Sequence, residues 1–499
     1  MQYLLRFFYF IFILSVLITL NASKGYCGSL TGPPPPDKEV LQKKENRKRI
    51  NIWPFYYYDK KKDEGTTEMS FLGPFFTYKE NSKTKESGFS PLYYKIEDKK
   101  SGTKTTDFIY PLGKSKIREG ETDVRLSPLL SSKKRESERS FTLFPLYTGK
   151  TVKGEGYGGI FPLYGTIKER FGIDEGRFFL WPLYSTSTRE NIKTTNFLWP
   201  IFSFSKSEGQ EKFQIWPFYS RKKKEGYYNK KFVLWPLFFS EETGLNTDNP
   251  TKTKMFFPLY LSTESPQVTS KTFLWPIFSH TVNKAKGFEN HSVFPIFSKT
   301  VATTEGSERE GFRIFPIFGH RKAEGYKKSF FLAPLYWSEV QEGIDYQETT
   351  KRWFFINKSE TKLWTKQGKT KKELHFWPAF NYRKKRDDSS KLLFPYLFLF
   401  RDEGFERNFP FLILYRYEKD KEGLASWDLL WRFMSGEKSD RGSRFEISYL
   451  INYEKDSQDD TVDVSLLKGL VSYSNYSEKK YLSFFYLPFG LGWQGSGND

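Results

Sequence analysis

The sequence is poor in the residues on which many protein classes depend. Its 499 residues include one cysteine, four histidines and seven alanines. A single cysteine excludes a disulfide scaffold and a thiolate zinc site. The scarcity of alanine argues against helical bundles and coiled coils, which are rich in strong helix formers. No run of 18 apolar residues occurs, so the sequence predicts no membrane-spanning helix.

Aromatic residues and positive charge are abundant. Phe, Trp and Tyr make up 19% of the chain, and the formal net charge is +20. So many large apolar side chains exclude a disordered chain, although 28% of the residues are charged. The sequence therefore predicts a folded protein with a basic surface.

The N-terminus has the pattern of an export signal. Residues 7–20 are almost wholly apolar and follow Arg6. Fourteen residues are too short for a comfortable bilayer span and match the apolar region of a secretory signal peptide. We interpret 1–25 as a signal peptide cleaved after Gly25, with an uncleaved membrane anchor as the alternative. The protein is therefore expected in the periplasm, the outer membrane or at the cell surface.

The next segment, 26–50, is interpreted as an extended tether. It contains a polyproline stretch at 33–36 and a basic stretch at 43–49. Cys27 occupies the place where bacterial lipoproteins carry their acylated residue, and lipidation of Cys27 is one hypothesis. Tyr26 departs from the small residue usual before that cysteine, so an inert free thiol is the alternative.

Residues 51–420 repeat one short phrase. Its pattern is an aromatic residue, an aliphatic residue, Trp or Phe, Pro, Leu or Ile, and Phe or Tyr, as in residues 197–202. Sixteen such prolines recur about every 19 residues, a regularity typical of repeat architectures. They are Pro54, Pro74, Pro91, Pro111, Pro128, Pro145, Pro162, Pro182, Pro200, Pro217, Pro236, Pro258, Pro276, Pro295, Pro316 and Pro334.

The repeat predicts an all-β protein, an antiparallel meander of about 20 or more strands. Polar stretches between phrases contain Glu-Gly pairs, which favour tight turns. We expect one strand per repeat, for example 211–222, with the phrase at its centre and buried on both faces. The proline then marks a kink in a two-layer sheet or in a closed barrel. Alternatively, Trp-Pro starts a shorter strand. Helix is expected only in the signal peptide.

Residues 421–499 lose the regular phrase. Apolar and polar residues alternate through 445–453, and further strands are expected around 462–464 and 481–489. Such half-exposed strands suit the end of a repeat array, so we interpret this segment as capping strands.

No motif of known chemistry is present. His280 and His320 each follow a repeat proline by four residues, which favours a shared strand-end position, and His291 and His375 have no partner at ligand spacing. Nucleophile elbows, phosphate-binding loops and zinc-protease motifs are missing from the sequence. The prediction is a non-catalytic protein with no cofactor and no metal site, although a spatially assembled carboxylate pair stays open.

Basic runs suggest a polyanion surface, expected at turns. The candidate contacts are Lys222, Lys223, Lys224, Arg383, Lys384, Lys385 and Arg386. In an exported protein they would meet anionic lipid, lipopolysaccharide or acidic polysaccharide rather than nucleic acid. A solvated rim that only maintains solubility is the alternative.

Three functions remain open at this point. The favoured one is an exported, non-catalytic β-repeat protein of the bacterial cell envelope, acting as a scaffold or a binding surface for anionic components. The second is an outer-membrane β-barrel that forms a pore or a conduit for lipid or lipopolysaccharide. The third is a curved sheet that carries lipid tails in its trough. The oligomeric state stays undetermined.

Overall fold

The computed structural model describes residues 47–494 except 63, 208, 306–308, 355, 458–459, 477–478 and 487–489. Two compact units divide these residues after Glu437, so that one comprises 47–437 and the other 438–494. The predicted signal peptide, Cys27 and residues 26–46 of the predicted tether lie outside the described residues. The first strand starts at Arg47, inside the segment interpreted as tether.

The strands are short, mostly five or six residues. In the first half of the larger unit they are β1 Arg47–Ile52, β2 Tyr56–Lys61, β3 Thr66–Phe71, β4 Phe76–Glu80, β5 Thr84–Phe89, β6 Tyr93–Asp98, β7 Lys104–Phe108, β8 Gly113–Arg118, β9 Glu121–Leu126, β10 Leu130–Lys134, β11 Arg139–Leu143, β12 Leu146–Lys150, β13 Gly156–Ile160, β14 Tyr164–Arg170, β15 Ile173–Phe179, β16 Tyr184–Arg189, β17 Ile192–Phe197, β18 Phe202–Ser207, β19 Gln210–Ile215 and β20 Tyr219–Lys224.

The same pattern continues to the end of that unit. Its remaining elements are β21 Tyr228–Val233, β22 Phe238–Thr243, β23 Thr251–Phe256, β24 Tyr260–Glu264, β25 Val268–Phe273, β26 Phe278–Asn283, β27 Phe288–Val293, β28 Phe297–Ala302, β29 Glu310–Ile314, β30 Phe318–Ala323, β31 Tyr326–Phe331, β32 Tyr336–Glu342, β33 Tyr346–Trp353, β34 Asn357–Trp364, β35 Lys369–Phe376, β36 Phe380–Lys384, β37 Ser390–Phe394, helix α1 Glu403–Asn408, a 3-10 turn Pro410–Leu412, β38 Tyr415–Lys419 and β39 Ala425–Leu429.

The strands form an open antiparallel meander. From β1 to β39 each strand pairs with the next along the chain, and among the described residues β1 pairs with β2 alone. The prediction of a nearly all-β repeat meander is confirmed. The sheet is open, so it does not form the closed barrel that the sequence left as an alternative. Helix is not confined to the signal peptide, however, because α1 interrupts the array.

Each repeat is a hairpin of two short strands, so the prediction of one long strand per repeat was wrong. Residues 211–222 belong to β19 and β20, which are separated by a turn at 216–218. The bond between Trp216 and Pro217 is cis, as in type VI turns, and the other described phrases mostly share it. Proline cannot donate a ladder hydrogen bond, and a turn leaves that donor unneeded.

The length of the repeat places every phrase on the same edge of the sheet. About 19 residues suffice for two six-residue strands, a phrase turn and a polar turn, so like turns recur on every second connection. The opposite edge carries the polar turns. Gly226 illustrates them: its φ is +71°, which favours glycine, while a Cβ there would meet no atom within 4 Å.

The two faces of the sheet differ in burial. In β23, Lys252, Lys254 and Phe256 are exposed, whereas the alternate residues Thr251 and Met255 are half-buried. We call the face of Phe256 the outer face and the opposite one the inner face. Strand alternation extends this assignment along the sheet, because cross-strand partners point to the same side.

The inner face at the start of the larger unit packs on the inner face at its end. Arg47 bonds both Asp59 and Glu437 at 2.7 Å, and Arg432 bonds Glu68 at 2.6 Å. The Arg432 guanidinium also lies 3.9 Å from the ring centre of Tyr57. The interior between these strands is therefore largely ionic.

A small apolar core lies beside helix α1. Leu393, Tyr396, Phe398 and Ile413 are all buried and pack against Phe405, Phe409 and Leu412. Asp402 caps α1 by accepting a hydrogen bond from the Gly404 N–H at 2.7 Å. The helix therefore covers apolar side chains at the end of the array.

The second unit continues the hairpins without the proline phrase. Strand β40 Met434–Ser439 runs across the boundary, followed by β41 Gly442–Ile447, β42 Ile451–Asp456, β43 Thr461–Leu466, β44 Val471–Tyr476, β45 Lys479–Phe484 and β46 Gly490–Gln494. β41 to β46 pair in sequence order. The strand predicted around 462–464 is confirmed as part of β43. The stretch 445–453 is not one strand but a hairpin, because a turn at 448–450 separates β41 from β42. Of the strand predicted around 481–489, β45 contains 481–484, and 487–489 lie outside the described residues.

The phrase residues are not a buried stripe, and that prediction was also wrong. Trp199 is 48% exposed and Trp235 49%, whereas Leu393 is fully buried. We therefore expect Trp199→Ala to cost about 1–2 kcal/mol, mainly through its ring contact with Trp181, and Leu393→Ala about 2–5 kcal/mol. Urea unfolding measures both. Equal losses would show that the tryptophan is buried.

The ionic interior should make stability depend on acid pH. Burial alone would raise the pKa of Glu68, but the charge and hydrogen bond of Arg432 outweigh it and lower that pKa to about 2. Lys391 and Arg416 likewise outweigh burial and lower the pKa of Glu418 to about 2. Stability from a depressed carboxyl pKa is present above the ordinary value of 4.5 and is lost as pH falls toward 2.

We expect the urea midpoint to fall between about pH 4.5 and 2, with Glu68→Gln less stable at pH 7 by about 1–3 kcal/mol and showing a shallower acid decline. The matched control is Glu64→Gln, on an exposed turn carboxylate. An acid decline in Glu68→Gln as steep as in the parent would contradict the assignment.

Candidate functional site

The phrase turns form a continuous apolar edge, which we call the apolar rim. Each proline is followed by an aromatic or aliphatic residue, and all but three are also preceded by one; the exceptions follow Gly73, Ser90 and Ser127. The rim comprises residues 53–55, 72–75, 90–92, 109–112, 127–129, 144–145, 161–163, 180–183, 198–201, 216–218, 234–237, 257–259, 274–277, 294–296, 315–317, 332–335 and 377–379.

The rim turns satisfy one another's backbone groups. The Leu198 N–H donates to the Leu183 carbonyl of the preceding turn at 2.7 Å, and the Trp199 N–H donates to the Pro182 carbonyl at 2.8 Å. Within the turn, the Ile201 N–H donates to the Leu198 carbonyl at 2.8 Å. Apolar side chains thus project from an edge where neighbouring turns pair part of the polar backbone.

Neighbouring turns also stack their rings. Trp181 lies between Phe161 and Trp199, with ring centroids 5.4 and 5.6 Å apart, and Trp216 meets Trp235 at 6.0 Å. These offset contacts hold the rings in place while leaving much of each ring exposed.

The four-residue turns begin with an aliphatic residue in the left-handed region. Leu198, Leu234 and Leu274 have φ of 46°, 49° and 47°, and each is 45–46% exposed. This conformation costs a branched side chain roughly 1–2 kcal/mol, whereas asparagine adopts it more readily. An apolar side chain is therefore kept where a polar one would fit the backbone better.

A ladder of apolar side chains runs beside the rim on the outer face. It contains the rim-proximal residue of each strand from β1 to β33, and its partners pair directly across the sheet. Phe238 stacks on Phe256 at 4.8 Å, and Phe273 is 55% exposed. Gly113 is the one member without an apolar side chain.

The rim and the ladder together exceed an ordinary exposed apolar patch. A half-exposed aromatic side chain presents roughly 100 Å², so a few of them reach the few hundred Å² usual for a monomer. The rim and the ladder together present dozens of exposed apolar side chains. Patches of that size mark sites of contact with a partner or a membrane.

A cationic row lies two residues inward from the ladder on the same face, about 6.6 Å away. The row occupies the third residue of each strand, counted from the rim. In β1 to β39 this position contains no aspartate or glutamate, although the chain has 59 acidic residues. Six exposed cations occupy it between β20 and β33, interleaved with three histidines. They are Arg221, Lys231, Lys254, Lys271, Lys299 and Lys351.

The next outer row carries both signs of charge. Glu211, Glu242 and Glu264 alternate there with Lys223 and Lys252. On the outer face, acidic residues are therefore missing only near the apolar rim, and the sign of charge there depends on distance from the rim.

The predicted cluster 222–224 is split by the strand. All three lysines lie in β20 rather than in a turn. Lys222 and Lys224 point to the inner face, where they lie 5.2 and 4.7 Å from the ring centres of Tyr228 and Tyr227, while Lys223 points outward. Burial, together with nearby Lys222, lowers the pKa of Lys212 on the same inner face.

The predicted cluster 383–386 is engaged within the fold. Arg383 pairs with buried Glu406, and Lys384 bonds Asp388 at 2.8 Å. Lys385 donates its backbone N–H to Ser389, and the Arg386 guanidinium lies 4.9 Å from the ring centre of Trp364. This cluster does not form one basic surface.

Sequence reasoning overlooked the cationic row, although a signal was present. Arg221 and Lys299 follow their repeat proline by four residues, the same spacing as His280 and His320. Reading the repeat by position relative to proline, rather than by consecutive charge, would have found these members.

His291, for which the sequence showed no partner at ligand spacing, has partners in the structure. His291 in β27 lies directly across from His280 in β26, with ring centroids 4.5 Å apart, and both contact Glu289. The imidazoles hold the pKa of Glu289 below its ordinary value through hydrogen bonds. His375 is buried, 3.1 Å from the Leu399 carbonyl, and its burial lowers its pKa.

Comparison with known proteins gives no family. No protein-family model matches the chain, and no curated protein matches it. In the described part of the chain, no helix is long and apolar enough to cross a membrane.

Proposed function

We propose that this protein is an exported, non-catalytic β-repeat scaffold of the bacterial cell envelope that binds an anionic membrane surface through its apolar rim. The observation that carries the proposal is the pairing of an exposed apolar edge with an acid-free cationic row on the same face. Export is inferred from the apolar segment 7–20.

The dimensions of the surface suit the interfacial layer of a bilayer. The rim turn and the ladder occupy the outermost few residues of each hairpin, a depth of roughly 5–10 Å, which is how far interfacial apolar faces insert. Tryptophan, tyrosine and phenylalanine favour this zone. The hydrogen bonds between neighbouring rim turns lower the cost of placing this sheet edge there, and the interfacial layer can hydrate the backbone groups that these bonds leave out.

The charges suit anionic head groups. With the rim inserted, the cationic row stands at the level of the lipid phosphates, where each Lys or Arg contributes about 1 kcal/mol. The glutamates of the next row stand farther out and are partly screened at physiological salt. Among the anionic partners considered, a lipid surface fits best because lipopolysaccharide sugar and polysaccharide would use the charges but not the apolar rim.

The repeat supports a distributed, non-catalytic role. Many similar hairpins present many similar contacts, so affinity adds up from small increments. The open sheet favours a peripheral surface over a closed pore.

The rim can be tested without disturbing the turns. We expect Leu198→Asn, Leu234→Asn and Leu274→Asn combined to weaken binding to vesicles of 70% phosphatidylcholine and 30% phosphatidylglycerol by on the order of 100-fold, at about 1 kcal/mol lost per leucine. Asparagine keeps the left-handed backbone, so the urea midpoint should stay close to that of the parent.

Co-sedimentation of the purified mature chain measures this binding. The control replaces Thr194, Thr253 and Thr281, on the inner face, with asparagine. Undiminished binding by the leucine variant, or binding to lipopolysaccharide but not to vesicles, would contradict the proposal.

The cationic row can be tested against an equal change of charge. We expect Lys231→Gln, Lys254→Gln and Lys271→Gln combined to weaken binding to these vesicles more than Lys206→Gln, Lys252→Gln and Lys327→Gln, because the second set lies about 6.6 Å farther from the rim. The difference should shrink at high salt and with pure phosphatidylcholine. Equal losses from both sets would mean that net charge alone, not the row, attracts the membrane.

A further inference from the structure

We propose that His280, Glu289 and His291 form a Zn²⁺ site on the outer face. Their three ligand atoms all lie within 4.8 Å of one another. The Nε2 atoms of His280 and His291 lie 2.7 and 2.9 Å from the same oxygen, Oε1 of Glu289. The site stands on its own geometry and does not depend on membrane binding.

The register of the sheet brings the ligands together. His280 and His291 are direct partners of β26 and β27, and Glu289 precedes His291 by two residues, so all three side chains leave the same face. Neighbouring strand positions fix their Cβ atoms without a loop. The ligands are therefore held by rigid backbone, which favours a defined metal geometry.

The ligand set matches the chemistry of zinc. Two imidazole nitrogens and one carboxylate oxygen are a known tetrahedral Zn²⁺ set, with metal–ligand distances of about 2.0–2.2 Å and a fourth position left for water or another ligand. Without metal, the imidazoles and the carboxylate are joined by hydrogen bonds. Zn²⁺ would replace the bridging protons after a small widening of these contacts.

The neighbouring charges define the fourth ligand. Lys271 lies beside His280 and Lys299 beside His291 in the cationic row. Two ammonium groups oppose a bare cation, and they favour an anion on the metal. We therefore expect phosphate or carboxylate to raise the affinity of the site for Zn²⁺.

The His320 position provides a matched control. It occupies the same row on β30 and follows its proline at the same spacing as His280, but its cross-strand partners are Phe312 and Ser329. His320→Ala thus removes a histidine of the row without touching the proposed ligands.

The experiment titrates the EDTA-treated full chain with Zn²⁺ against a chromophoric chelator. We expect one high-affinity equivalent in the parent and in His320→Ala, and a loss of at least about 10–100-fold in His291→Ala and Glu289→Gln. Circular dichroism should be unchanged, because these side chains are 36–55% exposed.

A second measurement uses Co²⁺ in the parent protein. Tetrahedral coordination gives visible absorption bands that disappear on adding Zn²⁺, whereas hexahydrated Co²⁺ gives only weak ones. Zn²⁺ binding that persists in folded His291→Ala, or the lack of tetrahedral bands in the parent, would overturn the site.

Discussion

The in-register pairing of short antiparallel strands is the constraint on which the rest of this structure depends. Side chains alternate between faces, so a slip of one residue would move the apolar ladder and the cationic row to the inner face. Up to β37 the chain avoids this by confining most variation in length to the polar edge; the connection 395–414, which contains α1, is the long exception on the rim side. The turn between β16 and β17 has two residues, and that between β22 and β23 has seven, whereas the rim turns hold two to four. Because the rim turns vary little in length, each strand stays in register with its neighbours.

This register also explains why the protein is built with charge inside and aromatic residues outside. Six-residue strands give a sheet too narrow for a deep apolar core, and the described apolar cluster around Leu393 is small. Where the inner faces meet, ion pairs such as Arg432–Glu68 satisfy buried charges. Such pairs add little stability compared with apolar residues of the same volume, because desolvation offsets their attraction, but removing or mismatching one partner leaves a charge uncompensated. They therefore specify how the faces align, while the backbone ladder and cross-strand contacts supply cohesion.

The sequence predicted the β meander and its polar turns well, but it predicted the strand bounds and the exposure of the phrase badly, for one physical reason. Periodicity and Glu-Gly turns define a β meander without reference to distant contacts. An apolar run such as 197–202, however, is the same in sequence whether it is the middle of a buried strand or the tip of an exposed turn. Proline was the available discriminator, since it disfavours strand interiors. Relations between strands were harder to see: His280 and His291 become partners only through the register, eleven positions apart. The split of Lys222, Lys223 and Lys224 between faces follows from the same alternation.

Between β20 and β33 the outer face therefore combines three features whose order is fixed by distance from the rim. Apolar groups come first, cations and histidines second, and mixed charges third. A soluble scaffold that used charge only to resist aggregation would gain by placing acidic residues anywhere on its surface, including beside the rim. Their absence from the third position of every strand from β1 to β39 is instead a bias of sign and place together. Hydrophobic exposure alone would select apolar partners of many kinds. Hydrophobic exposure combined with a row of positive charge at head-group depth selects a partner with an apolar interior and an anionic surface, as an anionic bilayer has.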